Sequence, residues 1–478
     1  MALTRATRVL SVLAATSLLL APALPAAAQP SSTPSAPGQG MAEPPPLPSD
    51  FPLPDDDGAP DRTYEKKTEC VRSAGSPTVL QTKPWGQDML RFDEIAKFGA
   101  TGAGQKVAVI DTGVTPHEFF GGRISGGGDY VVAGGDGLED CDGHGTEVAG
   151  IIAAKPTDPG IGFRGIAPDA EIISIRQSSG NYEFRDEATN QTFKAGNLST
   201  LAKAIVRAAN SGAGVINMSV DSCRPTSAGA ISPPEQQVQR ALEYAVDEKN
   251  VVVVASAGNL PEGDCKEQNS PDPKNPTWLV IPPWFSDYVL SVAAVQRDGQ
   301  VAEFSINGPW VSVAAPGTEI ISLDPASTGL ANQSVDEKGN AQPIQGTSFA
   351  APYVAGLAAL VRQKYPELNA RQVMERIKST AAHPAANGGH DNLVGYGMIN
   401  PIAALTAFIP AEEGIAPDKA IKVPFRMPPA YERDWTPMQV AMIGTGGGLG
   451  ALLLTLFVVH TVRRNRRDDE EPAPRARG

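Results

Sequence analysis

Six short runs rich in β-branched residues recur through the middle of the chain, at 107–110, 171–175, 214–218, 251–255, 288–293 and 311–314. None of them alternates apolar with polar residues, so each strand they form must be covered on both faces. Helical patterns lie between and after them, at 147–154, 201–210, 235–248, 350–363 and 370–379. Strand–helix–strand repetition predicts an α/β fold, a mostly parallel sheet with helices on both faces. No internal repeat is visible, and two polar stretches, 178–197 and 324–343, read as surface insertions. With 41% hydrophobic and 19% charged residues, a sizeable core is available and global disorder is excluded. Forty Lys and Arg stand against 53 Asp and Glu, a net charge of −13. That balance excludes nucleic acid as a partner held by counterion release.

Ligands of such sheets bind at the carboxyl ends of the strands, so the informative residues are those just after each run. The run at 107–110 is followed by Asp111-Thr112-Gly113, a carboxylate held rigidly at a strand end and suited to orient an imidazole. Asp142-Gly143-His144-Gly145-Thr146-Glu147 places His144 between two glycines at a predicted helix start, with its ring accessible. Gly346-Thr347-Ser348 opens an apolar helix. A nucleophile there has a free backbone N–H to offer an oxyanion, and the helix dipole favours developing negative charge. Pro352 is expected within the first turn or so, where its missing N–H costs little. The run at 251–255 leads to Ser256-Ala257-Gly258-Asn259, whose Asn259 amide suits an oxyanion hole. Taken singly, each has a bland explanation: a turn-capping Asp, a packed His, an N-capping Ser, an Asn in a tight turn. Together they fall at strand ends and helix starts with Asp, His and Ser in one chain order, which is that of a known triad arrangement.

The phrases D-T-G, H-G-T-x-V-A-G, N-M-S, S-A-G-N and G-T-S-x-A-x-P-x-V-A-G resemble those of subtilisin-like serine proteases, over roughly residues 106–402. The resemblance implies Ser348 as nucleophile, His144 as its general base and later general acid, and Asp111 as the group that fixes the His144 tautomer. It implies that Asn259 and the Ser348 amide hold the oxyanion. It also implies that peptide binds as an added strand against Met218, Ser219 and Val220, with Ala257 and Gly258 as the other wall of the primary pocket. Where the family often has glycine two residues after the Ser of N-M-S, this chain has Asp221, a carboxylate that could narrow the pocket or favour basic residues. No cofactor is expected, and no metal-ligand cluster with zinc-like spacing occurs.

Both ends of the chain read as addressing segments. Arg5 and Arg8, the mostly apolar stretch 9–24 and Ala26-Ala27-Ala28 predict a secretory signal over residues 1–28. Residues 29–61 hold ten prolines and the run Asp55-Asp56-Asp57, so 29–84 is expected to be an extended arm. The sequence leaves open whether that arm is a free spacer or packs on the main domain. A peptidase domain over 85–409 and a Pro-rich linker over 410–437 follow. The stretch 438–462 has no charged side chain, and at ~1.5 Å per residue it exceeds a ~30 Å hydrocarbon core. Arg463, Arg464, Arg466 and Arg467 come next, so the positive-inside rule predicts a cytoplasmic tail at 463–478 and an extracytoplasmic catalytic domain.

Four cysteines allow three pairings. Cys223 and Cys265 each follow a predicted strand, and adjacent parallel strands would bring their loops together. That leaves Cys70 with Cys141, a bond that would staple the arm beside His144. Signal, stapled arm, subtilisin-like domain, tether and one membrane span together are similar to the mycosins, membrane-anchored subtilases of type VII secretion systems. The resemblance implies a membrane location, partnership with the secretion machinery and processing of secreted proteins. It is also compatible with a mainly structural role in stabilising the secretion complex.

Overall fold

The computed structural model describes residues 42–72, 81–261, 265–269, 274–335, 340–415 and 434–468. The expected export signal at 1–28 lies outside them, as do parts of the expected arm, linker and tail. The chain divides into two units, 1–415 and 416–478.

In the first unit, strand β1 (Glu65–Lys66) precedes two helical turns, α1 (Trp85–Met89) and α2 (Phe92–Ile95). Then come β2 (Lys106–Asp111), β3 (Ile124–Asp129), α3 (His144–Ala153), β4 (Glu171–Arg176), the hairpin β5 (Ser179–Arg185) and β6 (Thr192–Ala195), and α4 (Leu198–Asn210). They are followed by β7 (Val215–Met218), β8 (Ser222–Pro225), α5 (Pro233–Glu243), β9 (Val252–Ser256), β10 (Trp278–Ile281), β11 (Leu290–Val295) and β12 (Val311–Pro316). Helices α6 (Thr347–Lys364), α7 (Ala370–Ser379) and α8 (Pro401–Thr406) end the unit.

Seven strands form the central sheet in the order β12-β11-β9-β7-β2-β4-β3, and every ladder in it is parallel. Helices α3 and α6 pack together on one face, and α4 and α5 pair on the other. Val107 to Ile110 and Val252 to Val254 are fully buried, which explains why these runs carry no polar alternation. Each valine or isoleucine among them contributes about 1.5–3 kcal/mol of burial. The chain moves to one side of β2 to make β3 and β4, then to the other side for β7 and beyond. The carboxyl ends of β2 and β7 therefore flank the switch in strand order, where Ile110 is in register with Met218.

The six predicted runs correspond to β2, β4, β7, β9, β11 and β12, whereas β3 had no such signal. Its sequence, ISGGGD, carries three glycines, and as an edge strand it pairs with β4 alone. The polar stretch 178–197 is the hairpin β5–β6.

The arm packs on the body. Asp56 accepts from the Tyr130 hydroxyl at 2.6 Å and pairs with Arg207 at 3.0 Å, and Asp57 pairs with Lys203 at 3.0 Å. Gln239 donates to the Pro45 carbonyl, and β1 adds antiparallel to β5. Disulfides join Cys70 to Cys141 and Cys223 to Cys265, with Cα separations of 4.4 and 5.1 Å.

In the second unit the described residues form one helix, α9 (Thr436–Asp468). It is long and apolar enough to cross a membrane, with a mean hydropathy of 1.9 over its most apolar 18 residues, and its apolar side chains are exposed.

Candidate active site

Asp111 is the last residue of β2 and is completely buried. Its Oδ1 lies 2.7 Å from His144 Nδ1 and accepts from the Thr112 N–H at 2.8 Å. A carboxylate can only accept, so the contact holds the imidazole proton on Nδ1 and leaves Nε2 as the basic nitrogen. His144 is the first residue of α3, and its side chain keeps 29% of its surface exposed. Strand end and helix start approach so closely that a Cβ on Gly145 would stand 2.0 Å from the Gly113 carbonyl oxygen. Only glycine fits between D-T-G and H-G-T.

Ser348 is the second residue of α6 and is 7% exposed. At that position its N–H has no partner within the helix. Gly346 caps the helix with a φ of 155°, and a Cβ there would crowd Ser348 Oγ at 2.9 Å. Asn259 Oδ1 accepts from both the N–H and the hydroxyl of Thr347, at 2.8 and 2.9 Å. With its oxygen so committed, Asn259 turns its amide nitrogen to the Gly346 side, beside Ser348. The expectation for Pro352 needs correction: α6 begins at Thr347, so the proline is its sixth residue and lies in the second turn. The Ser348 carbonyl thereby loses its helical donor and accepts instead from Ser219 Oγ at 2.8 Å.

Asp111, His144, Ser219, Val220, Asp221, Asn259 and Ser348 all line one cleft of about 1140 Å³. Ala257 and Gly258 do not line it. Both are buried behind Asn259, where Ala257 N–H bonds the Val292 carbonyl and Gly258 N–H bonds Thr347 Oγ1. Asp221, Cys223 and Cys265 approach one another as metal ligands would, but the two sulfurs are bonded to each other.

Sequence reasoning missed Asp140. It is buried and accepts from Thr112 Oγ1, the Gly143 N–H, and the Thr146 N–H and hydroxyl, all within 2.8 Å. Burial pushes its carboxyl up to about 6 against the pull of these donors. One carboxylate thus fastens D-T-G to the loop that carries His144. Its position four residues before His144 was the only available signal. Phe349 was also missed; its ring lies tilted against that of His144, 5.1 Å between centroids. Glu147, one helical turn after His144, is buried, and desolvation pushes its carboxyl up to about 8.

A parallel sheet with this acid–imidazole pair at its rim, and a serine at a helix start in the same cleft, defines a subtilisin-like serine protease. The family model described as "Subtilase family" matches residues 102–397. Mycosin-1 of Mycobacterium tuberculosis is 42% identical over 426 residues, covering 84% of this chain and 91% of that protein. The structure of "a serine protease MycP1, an essential component of the type VII (ESX-1) secretion system" superposes with a TM-score of 0.68 at 41% identity, covering 77% of this chain and 100% of that one. A chain in the periplasmic assembly from the ESX-5 inner membrane complex superposes with a TM-score of 0.69 at 39% identity, covering 81% and 100%. The chain belongs to the subtilase family and, among subtilases, to the mycosins.

Proposed function

We propose that this protein is a membrane-anchored endopeptidase that works outside the membrane beside a type VII secretion complex and cleaves secreted polypeptides. Ser348 Oγ attacks the scissile carbonyl carbon while His144 Nε2 takes its proton. Asp111 holds the Nδ1–H and stabilises the imidazolium. The Ser348 N–H and the Asn259 amide receive the oxyanion. His144 then returns the proton to the leaving amine, and water hydrolyses the acyl-enzyme by the same steps. The substrate lies against Ser219 and Val220. The 2.7 Å contact between His144 and Asp111, in a cleft shared with Ser348, carries this reading.

Two relatives support this partner: MycP1 is an essential component of the type VII (ESX-1) secretion system, and another neighbour belongs to an ESX-5 inner membrane complex. Residues 1–28 direct export and are removed, the arm (29–84) stays on the peptidase domain (85–409), and 410–437 tethers that domain to the span at 438–462. The arginines after Val462 keep the 463–478 tail in the cytoplasm. The test is labelling of the full-length protein in membranes by a fluorophosphonate probe, compared with Ser348→Ala. Labelling confined to the wild type is expected, and equal labelling of both would overturn the assignment. Intact complex assembly with lost substrate processing in a Ser348→Ala strain is expected too. Unchanged processing would leave the protein a scaffold.

A further inference from the structure

Helix α3 carries a second ionisable side chain beside the imidazole. Glu147 fills the open position of the phrase H-G-T-x-V-A-G, so the motif that fixes His144 does not prescribe a carboxyl there. It lies three residues after His144 on the same face of α3, and helical side chains lean back towards the preceding turn. Residues at that spacing stand about 5–6 Å apart at Cβ. Glu147 is 5% exposed, and among the described residues no hydrogen bond reaches its carboxyl group. Packing alone does not account for it, since an apolar side chain of that size would fill the space without the cost of desolvating a carboxyl.

The surroundings are acidic. The elements packed most closely on α3 are β2, β4, α6 and β13 (Ser322–Leu323). Strand β2 ends in Asp111, β13 leads into buried Asp324, and Asp140 lies in the loop before His144; all three repel a charge on Glu147. Strand β13 has no charged residue, and α6 has none before Arg362. Arg176, at the end of β4, lies 3.6 Å from Asp129 and 3.9 Å from Glu139, and Lys106 and Glu171 pair at the opposite ends of β2 and β4. Among these neighbours, the group that turns cationic beside Glu147 is His144, when it takes the Ser348 proton. Burial, reinforced by Asp140, Asp111 and Asp324, pushes the Glu147 carboxyl up to about 8, and the His144 charge opposes that rise. The attraction is mutual, so an ionised Glu147 favours the protonated imidazole by the same amount.

We propose that Glu147 is a positioning residue that acts through His144: ionised in alkaline solution, it stabilises the imidazolium formed as Ser348 attacks and gives the enzyme a second, faster regime. Asp111 orients the ring by a hydrogen bond, whereas Glu147 acts by its field across a dry helix face, where charge is weakly screened. In neutral solution the carboxyl is protonated and the triad works without it. This rests on the peptidase reading above.

The experiment follows the second-order rate of fluorophosphonate labelling of the full-length protein in detergent, across the pH range over which circular dichroism shows each protein folded. Wild type, Glu147→Gln and Glu147→Asp are compared. Wild type is expected to speed up as His144 loses its proton and then again, by roughly 3- to 10-fold, around pH 8. Glu147→Gln should keep the first rise and lose the second, and Glu147→Asp should regain part of it. A merely structural role would scale the whole profile without changing its shape. A second rise of equal size in Glu147→Gln, or none in wild type, would overturn the proposal. His144 is also titrated directly by NMR of isotope-labelled histidine, its resonance identified by its absence from His144→Ala. In wild type it should titrate over a broad, two-step range, and in Glu147→Gln in one step at lower pH. Identical titrations would count equally against the proposal. Lack of Ser348-dependent labelling at every pH would overturn the peptidase reading instead, and the titration would still decide whether Glu147 acts on the imidazole.

Discussion

Ser219 Oγ donates a 2.8 Å hydrogen bond to the carbonyl of Ser348, joining the end of the β7 segment to the first turn of α6. The bond exists because Pro352 brings no N–H to the carbonyl four residues before it. Asn217 Nδ2 donates to Ser219 Oγ at 3.0 Å and so orients the hydroxyl. The family's G-T-S-x-A-x-P pattern thus frees a carbonyl inside the nucleophile's own helix, and the N-M-S serine takes it up.

Ser219→Ala should therefore leave a buried acceptor without its donor, at about 1–3 kcal/mol in stability. Thermal denaturation should show the loss, together with slower fluorophosphonate labelling. In a Pro352→Ala background the helix regains its N–H, and the same Ser219→Ala change should cost much less. Equal costs in both backgrounds would mean that the proline has nothing to do with this bond.

Asn259 has two duties that substitution can separate. Asn259→Asp keeps an oxygen for the two Thr347 donors but removes the amide N–H beside Ser348. The thermal midpoint should stay near that of wild type, while kcat falls on the order of 100- to 1,000-fold with KM little changed. Asn259→Ala should lose both stability and rate. A fully active Asn259→Asp protein would remove the residue from the oxyanion hole.

Glu147 makes stability depend on pH. Its folded-state carboxyl is raised by burial from 4.5 to about 8, so the folded state holds a proton that the unfolded state gives up earlier. Its stabilising effect is complete below pH ~4.5 and is lost as pH rises towards 8. Asp140, raised to about 6, acts in the same direction over a lower window. Glu147→Gln should flatten the fall in thermal midpoint between mildly acidic and mildly alkaline buffer, and be the more stable protein in the latter. A wild-type midpoint that rises across this range, with Glu147→Gln parallel to it, would contradict the assignment.

The Cys70–Cys141 bond closes 71 residues of chain and ties the arm three residues before His144. A chain-entropy argument puts its contribution at about 4 kcal/mol. Replacing both cysteines by serine should lower the thermal midpoint and speed hydrogen exchange in β1 and β5, which the arm pairs. Unchanged exchange there would show that the arm is held by its other contacts alone.

Strand runs and motif phrases were legible because they are local. A buried parallel strand needs five or so apolar residues in a row, and a helix start beside a glycine needs neighbours in sequence. Hence β2, β4, β7, β9, β11 and β12 were all foreseen. The edge strand β3 was not, because its three glycines carry no side chain to betray a buried face. The helix foreseen at 235–248 ends as α5 at Glu243 and continues as a wider π-helical turn, Tyr244–Glu248, a change that no local propensity announces.

The chemistry-bearing residue types, and the strand ends and helix starts that carry them, follow from the order of amino acids alone, since strand pattern and glycine placement act over a few positions. Folding in three dimensions settled which of these groups meet, and through what. Asp140 gathers donors from two motifs, Phe349 meets the imidazole from another helix, and the Ser219–Ser348 bond spans 129 positions of chain. The arm's course was open for the same reason: a proline-rich stretch has no periodicity of its own, and only the surface offered by Arg207, Lys203 and β5 selects a path for it.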